Sequence, residues 1–233
     1  MTDLTIWDHL FVLFVFIAYP TYAKLTFKKS IKHIIAGGET ARVKAYQGVI
    51  ATWIIFAIFV LLLWHFLGRD WAAIGFRWGE LDRTLIALAA AAAVTALFVV
   101  PIRKTAIDPD NDVGKFKAQI GDFFAFMPAT NREVGWFKAV SLNAGLQEEL
   151  IYRGFLIWYL TQFVSLPWAA VLSAIAFTLA HAYQGLKQLP GILFVATVCV
   201  GLYVYTGSLL VPVIFHILLD ALQGHYVGKM LSK

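Results

Sequence analysis

Two adjacent carboxylates and a guanidinium stand in the stretch Gly145-Leu146-Gln147-Glu148-Glu149-Leu150-Ile151-Tyr152-Arg153-Gly154, inside an otherwise apolar run from Trp136 to Leu166. A charged side chain at the centre of a bilayer helix costs roughly 2.5–3.5 kcal/mol, so three left unpaired would cost on the order of 8–10 kcal/mol. A cost of that size calls for a polar pocket shared with other helices. Helical geometry divides the labour within the stretch. Glu149 and Arg153 are four apart and lie on one face, where they can pair. Glu148 points about 100° away. The pairing keeps Glu149 ionised, while the less-compensated Glu148 is freer to take and give protons.

The partners for such a pocket are few. After Glu133 the chain has three acidic residues, Glu148, Glu149 and Asp220, and three histidines, His181, His216 and His225. His216-Ile-Leu-Leu-Asp220 puts imidazole and carboxylate on one helical face, one turn apart. That spacing suits two ligands of one ion, or a carboxylate that fixes the tautomer of a histidine. His181 falls near the end of the apolar run Pro167–Tyr183, and His225 near the end of the last one, where it reads as an interface residue. His9, His33 and His65 also sit near span ends and are assigned no role.

Peptide hydrolysis needs an activated water and a group that stabilises the tetrahedral oxyanion. A partly desolvated glutamate can accept the water's proton and return it to the leaving amine. Alternatively His181, His216, Asp220 and Glu148 could hold Zn2+, whose bound water ionises near pH 7. The residues leave the metal and metal-free versions both open.

The elements that must position these side chains are membrane helices. Of 233 residues, 60% are hydrophobic and 14% charged, with mean hydropathy +0.73, whereas soluble chains carry about 25% charged residues. The fold class expected is all-α, a polytopic transmembrane helix bundle of about seven spans plus interfacial amphipathic helices. The spans are Trp7–Tyr22, Tyr46–Leu67, Leu85–Ile102, Trp136–Val164, Pro167–Tyr183, Pro190–Tyr205 and Leu209–Val227. Between the first two, Lys24–Lys44 carries six Lys/Arg among Leu25, Phe27, Ile31, Ile34 and Ile35, and reads as an interfacial helix broken at Gly37-Gly38. The fourth span, about 42 Å long, exceeds a hydrocarbon core of roughly 30 Å, so it must tilt or project. The single cysteine, Cys199, allows no intrachain disulfide and no cysteine metal cluster. Asp108–Gly114 has a calcium-loop look, but its glycine is one place late and no glutamate closes it. Apolar residues from Val113 to Met127 then recur at helical spacing, as an amphipathic surface helix or a gate over the site.

Net charge +5 could suggest nucleic acid, yet the basic residues flank apolar spans and no basic-aromatic module is present. Seven alternating spans put fourteen Lys/Arg on one side and only Arg69, Arg77 and Arg83 on the other. The first side is then cytoplasmic, with the C-terminus, and the N-terminus is outside. With no positive leader or small-x-small cleavage site, the first span is expected to stay. The expected localisation is a multi-pass protein of the plasma (inner) membrane.

Glu-Glu-x-x-x-Arg, then Phe-x-x-x-His, then His-x-x-x-Asp on three successive helical segments resembles the CPBP (Abi) family, the type II CAAX prenyl proteases and bacteriocin-processing enzymes. The resemblance covers about residues 135–223, with Arg153-Gly154, Tyr183-Gln184-Gly185 and Thr206-Gly207-Ser208-Leu209 as lesser matches. It implies catalytic-core helices over 135–233 and N-terminal spans over 1–134. It implies an intramembrane endopeptidase in which Glu148 and His181 activate water, His216 and Asp220 stabilise the oxyanion or ligate a metal, and Glu149 and Arg153 shape the site. Many relatives have Asn where this chain has Asp220. An Asn can donate to an oxyanion and an ionised Asp cannot. The implied partners are the lipid bilayer and a membrane-near peptide at the cytoplasmic face, a prenylated CAAX-like tail or a leader peptide. Two other readings use the same residues: an ion- or proton-coupled transporter, for which no repeated half is evident, and a non-hydrolytic immunity or adapter protein, which would be expected to have lost a catalytic group.

Overall fold

A computed structural model describes residues 4–108 and 113–232; of the Asp108–Gly114 stretch, residues 109–112 lie outside the described residues, as does Lys233. Ile6–Phe66 is helical except where Gly38 breaks it with φ 57 and ψ −139. Such a left-handed backbone suits glycine, which has no Cβ to clash. Residues 6–37 (α1) and 39–66 (α2) fold back on one another as antiparallel arms. Phe11 stacks on Phe59, and Tyr19 meets Trp53 and Phe56 edge-on. The basic segment 24–44 is thus taken up into the two arms rather than forming a separate helix, and its break falls at the expected glycines.

The remaining helices are α3 (Leu81–Ile107), α4 (Val113–Ile120), α5 (residues 131–160), α6 (Leu166–Ala180), α7 (Leu189–Thr206) and α8 (Leu210–Leu231). Short tight turns of helix at Trp71–Ile74, Gly121–Phe126, Ala182–Gln184 and Leu186–Gln188 connect them, and no strand occurs among the described residues. Among the described residues, four helical stretches are long and apolar enough to cross a membrane: Ile6–Phe66, which holds both arms, Leu81–Ala106, Leu186–Thr206 and Leu210–Leu231. Leu166–Ala180 is apolar but shorter. Exposed Leu97, Leu172, Ile175, Leu179 and Phe194 give the bundle an apolar outside, as a protein solvated by lipid tails requires. The chain is an integral membrane protein built as a helix bundle.

Local sequence sets where the helices begin and end. Thr130 accepts from Glu133 N at 3.2 Å, and Glu133 Oε2 accepts from Thr130 N at 3.0 Å, which closes a capping box at the start of α5. The same glutamate pairs with Arg42 of α2, whose Nε also donates to the Ala125 carbonyl at 2.8 Å. Pro167 and Pro190 sit in the first turns of α6 and α7, where no amide partner is lost. Gly207, φ 65, ends α7.

The packing that matters most for the site is α5 against α8. These helices run antiparallel, and each contact seats a large side chain against a glycine. A Cβ on Gly145 would strike Ile217, one on Gly224 the Phe137 ring, and one on Gly228 the Val134 side chain. Small residues let backbones approach closely where no hydrophobic force drives helices together in lipid. At Gly145 the approach includes the Ile217 backbone, with its N 3.0 Å from where the Cβ would be.

Candidate active site

Close approach at Gly145 carries Glu149, one turn on, to His216, which adjoins Ile217. The Glu149 carboxylate, wholly buried, accepts from two sides at Oε1: from Arg153 Nη1 at 3.0 Å and from His216 Nδ1 at 2.8 Å. Arg153 is itself wholly buried, and its Nη2 donates to the Ala196 carbonyl of α7 at 3.1 Å. One carboxylate therefore ties three helices together, and a carboxylate bound on both flanks by N–H donors is held in one orientation.

Between Glu149 and Ile157 the helix widens. Residues Leu150–Leu156 follow a looser turn with bonds one residue longer than in an α-helix, a feature frequent at functional sites. Ser173 of α6, fully buried, donates to the Tyr152 carbonyl at 2.8 Å. Gly154 allows the Ile74 carbonyl within 2.9 Å of where a Cβ would stand. The Glu149–Arg153 pairing expected from spacing four forms across the start of this turn.

Glu148 faces the other way, into the gap between α6 and α8. Its Oε2 lies 3.8 Å from His181 Nε2 and 4.0 Å from His216 Nε2. Both rings are anchored from behind. His181, which caps the C-terminal end of α6, donates Nδ1–H to the Phe177 carbonyl at 2.8 Å, and a carbonyl can only accept. His216 donates Nδ1–H to Glu149. In the neutral state both imidazoles thus turn an Nε2 lone pair toward Glu148, since only one ring nitrogen carries the proton. Asp220 Oδ2 lies 3.5 Å from His216 Nε2, and its side chain is 37% exposed, the wettest of the six charged or imidazole groups brought together here.

Phe177 belongs to the site as well. Its ring stacks on His181 at 4.3 Å, meets His216 edge-on at 6.0 Å, and lies 4.5 Å from the Arg153 guanidinium carbon. The Phe-x-x-x-His spacing contains it, but spacing alone does not show that one ring touches all three charged or imidazole neighbours. Sequence reasoning also missed Ser173, and Cys199 of α7. Glu149, Cys199 and His216 bring ligand-type atoms within 4.8 Å of one another. A cation there would have to take the His216 nitrogen already bound to Glu149 and sit beside the fixed charge of Arg153. The donor set of His181 Nε2, His216 Nε2 and Glu148 avoids that conflict, with Glu148 3.8 and 4.0 Å from the two rings. Its three ligand atoms do not all lie within 4.8 Å of one another. Each histidine is already hydrogen-bonded at its far nitrogen, the arrangement that orients metal-ligating imidazoles.

Clefts lined by Arg77, Arg83, Tyr205 and Gly207, and by Ala72, Trp158, Thr161 and Tyr203, open at the other end of α7, one helix length from His181. They play no part in this constellation. No curated protein and no solved structure matches the chain. A family model does match over residues 130–222, the stretch that carries all six residues, and its description is type II CAAX prenyl endopeptidase Rce1-like. The match agrees with the resemblance of the three motifs, and it spans residues 130–222 of the 233.

Proposed function

We propose that the chain is an intramembrane endopeptidase that hydrolyses a peptide bond with water activated at Glu148. One observation carries the reading: two imidazoles, each anchored at Nδ1, turn Nε2 toward a single carboxylate that has no closer ion-pair partner among the described residues. Water bridging Glu148 and His181 is placed for attack, and Glu148 takes its proton as the bond to the carbonyl carbon forms. The same carboxyl returns that proton to the amine as the peptide bond breaks. Glu149 and Arg153 keep His216 in register, and His216 with Asp220 borders the reacting carbonyl. When bound, Zn2+ on His181, His216 and Glu148, with Asp220 adjoining, would supply polarisation and a more acidic water. The substrate class is a membrane-near peptide on the cytoplasmic face, a prenylated CAAX-like tail or a leader peptide, in a plasma membrane protein whose C-terminus is cytoplasmic.

The experiment is hydrolysis in proteoliposomes of prenylated and unprenylated tail peptides and of leader peptides, by wild type and by a His181→Ala, His216→Ala double variant. Cleavage by wild type and none by the double variant is expected. Full hydrolysis by the double variant would remove the reading and return the transporter and adapter alternatives. Treatment with a strong chelator, followed by zinc, tests the metal: loss and recovery with about one ion per chain supports it, and unaltered turnover supports the metal-free version.

A further inference from the structure

Glu148 looks into the gap between α6 and α8, and residues 113–127 cross that gap at the end of the bundle where both helices finish. On one side, the turn Gly121–Phe126 packs on the turn Ala182–Gln184 that follows His181, and α4 on Leu186–Gln188. On the other side, Met127 is buried with Val227 and Met230 of α8, about two turns beyond Asp220. Phe123 belongs to both sides. It packs against the cluster of Met127, Val227 and Met230, and its ring meets Tyr183 edge-on at 6.4 Å. Tyr183 lies 28° from parallel with the His181 imidazole at 6.0 Å, and Phe27 of α1 backs it at 5.3 Å. A row of rings therefore runs from Phe123 to His181, whose Nε2 lies 3.8 Å from Glu148.

The crossing is fastened just after Phe123. Arg42 of α2 donates through Nε to the Ala125 carbonyl at 2.8 Å, and the Tyr46 hydroxyl donates to the Phe126 carbonyl at 2.7 Å. Ahead of Phe123, Gly121 turns the chain with φ 60, and no atom lies within 4 Å of where its Cβ would be. The half-buried Phe123 ring thus stands between a latch and an open turn. Beneath it the gap is narrowed and not sealed, since the Asp220 side chain stays 37% exposed and that of His181 14%. Such a slot passes an extended chain with small side chains and stops one with large side chains unless the ring moves aside.

We propose that Phe123 is a specificity-determining residue at the mouth of the site, its ring setting how bulky the residues beside the scissile bond can be. The inference rests on hydrolysis at Glu148 and adds a preference for small residues next to the cut. Contacts of this size, a methylene or a few, discriminate between substrates by roughly 10–200-fold in kcat/KM.

The test takes a tail or leader peptide that wild type cleaves and makes it in two forms, with alanine or with tryptophan on either side of the mapped cut. In proteoliposomes wild type should prefer the alanine form by at least about tenfold in kcat/KM. Phe123→Ala should raise the tryptophan form by about tenfold and hold the alanine form within about twofold. Phe123→Leu keeps an apolar side chain against Met127 and carries the test if Phe123→Ala does not fold; it should raise the tryptophan form by about threefold. Phe123→Trp should lower the tryptophan form below its wild-type rate. A wild type that takes both forms equally overturns the proposal, as does an unaltered preference in folded Phe123→Ala or, failing that, in Phe123→Leu. An equal fall for both peptides overturns it too, because it marks Phe123 as a packing residue alone. A wild type that cleaves no peptide overturns the hydrolytic reading and this inference with it; active variants that all keep the wild-type preference overturn only the role of Phe123.

Discussion

Among the described residues, two arginine–carboxylate pairs have both side chains almost fully buried, and they are finished differently. At one end, Arg69 binds Asp8 through both amino groups, Nη1 to Oδ1 and Nη2 to Oδ2, each at 2.7 Å. Asp8 takes a further bond from Thr5 N at 2.7 Å, and the guanidinium lies over the rings of Trp64 and Trp158. In the other pair, Arg153 reaches Glu149 through one nitrogen alone, and the same oxygen is shared with His216. Glu149 Oε2 and Arg153 Nε, both buried, have no hydrogen-bond partner among the described residues. Buried charge is tolerated when it is paired and its remaining polar atoms are satisfied. The Asp8–Arg69 pair meets that condition and fastens the start of α1 to the loop after α2. The Glu149–Arg153 pair meets it only in part, and its shared oxygen goes to a histidine that faces Glu148. The first pair is built for holding; the second spends part of its bonding on aiming a ring.

The largest expected effect separates aiming from the reaction itself. Glu148→Gln removes the proposed base and keeps its size. Turnover should fall by about 10²–10⁴, while melting in detergent stays near wild type because no ion pair shorter than 3.8 Å is lost. A Glu148→Gln protein with wild-type turnover would break the assignment of Glu148 as the base.

The two arginines come next. Arg153→Ala and Arg69→Ala each strip a buried carboxylate of its guanidinium, and each should cost about 3–5 kcal/mol of stability, read as the midpoint of denaturant or thermal unfolding in micelles. Their activities should part company. Per folded molecule, Arg69→Ala should turn over within about threefold of wild type, while Arg153→Ala should lose at least about tenfold, a loss of about 1.4 kcal/mol at the transition state, because His216 loses its fixed partner. Equal specific activity in the two variants would erase the contrast between the pairs.

How much of this was readable in the chain depends on whether the partners share a helix. The Glu149–Arg153 and His216–Asp220 neighbours follow from a spacing of four on one helix, and the break at Gly37-Gly38 follows from residues that tolerate it. The three motifs read in order were enough to suggest the family whose model matches residues 130–222. The bond from Glu149 to His216 spans 67 positions and the one from Arg69 to Asp8 spans 61. Periodicity describes one helix at a time, so neither could be read without knowing which faces meet. In the sequence Arg69 counts only as a basic residue flanking a span for that reason, and nothing there points to Asp8 as its partner. The wide turn after Glu149 left no mark in the sequence either, since Leu150-Ile151-Tyr152 would suit an ordinary helix equally well. Phe177 was quoted only as a spacing landmark, because ring contacts to Arg153 and His216 depend on how α6 leans on α5 and α8.

Glycine substitutions sharpen the same comparison at smaller scale. Gly145→Ala should cost about 1–3 kcal/mol, as overpacking does, because the new Cβ meets Ile217 backbone as well as its side chain. Since Ile217 adjoins His216, turnover should fall by about tenfold along with stability, the equivalent of about 1.4 kcal/mol at the transition state. Gly224→Ala presses first on the Phe137 ring, two turns from His216, where its three nearest neighbours are all ring atoms. It should lower stability by a similar amount and leave turnover per folded molecule near wild type. If both glycines proved equivalent in turnover, close helix approach would matter for folding and not for aiming.

The smallest effect tests whether the wide turn is held from outside. A turn of longer period leaves backbone carbonyls imperfectly matched, and in lipid no water is at hand to complete them. Ser173 answers this at Tyr152 with a 2.8 Å bond from a fully buried hydroxyl. Ser173→Ala removes the donor without adding bulk, so the expected loss is about 1 kcal/mol, the net worth of one ordinary hydrogen bond. Tyr152 stands between Glu149 and Arg153, so any relaxation of the turn toward regular helix would rotate the guanidinium away from Phe177 and the Ala196 carbonyl. Ser173→Ala should therefore show a small fall in melting temperature together with a turnover loss of about two- to fivefold, the size that a free-energy change of up to 1 kcal/mol allows. Ser173→Thr, which keeps the hydroxyl, should recover turnover even where the added methyl lowers stability. A Ser173→Ala variant that loses stability and keeps full turnover would show that the turn, like the Asp8–Arg69 pair, only holds.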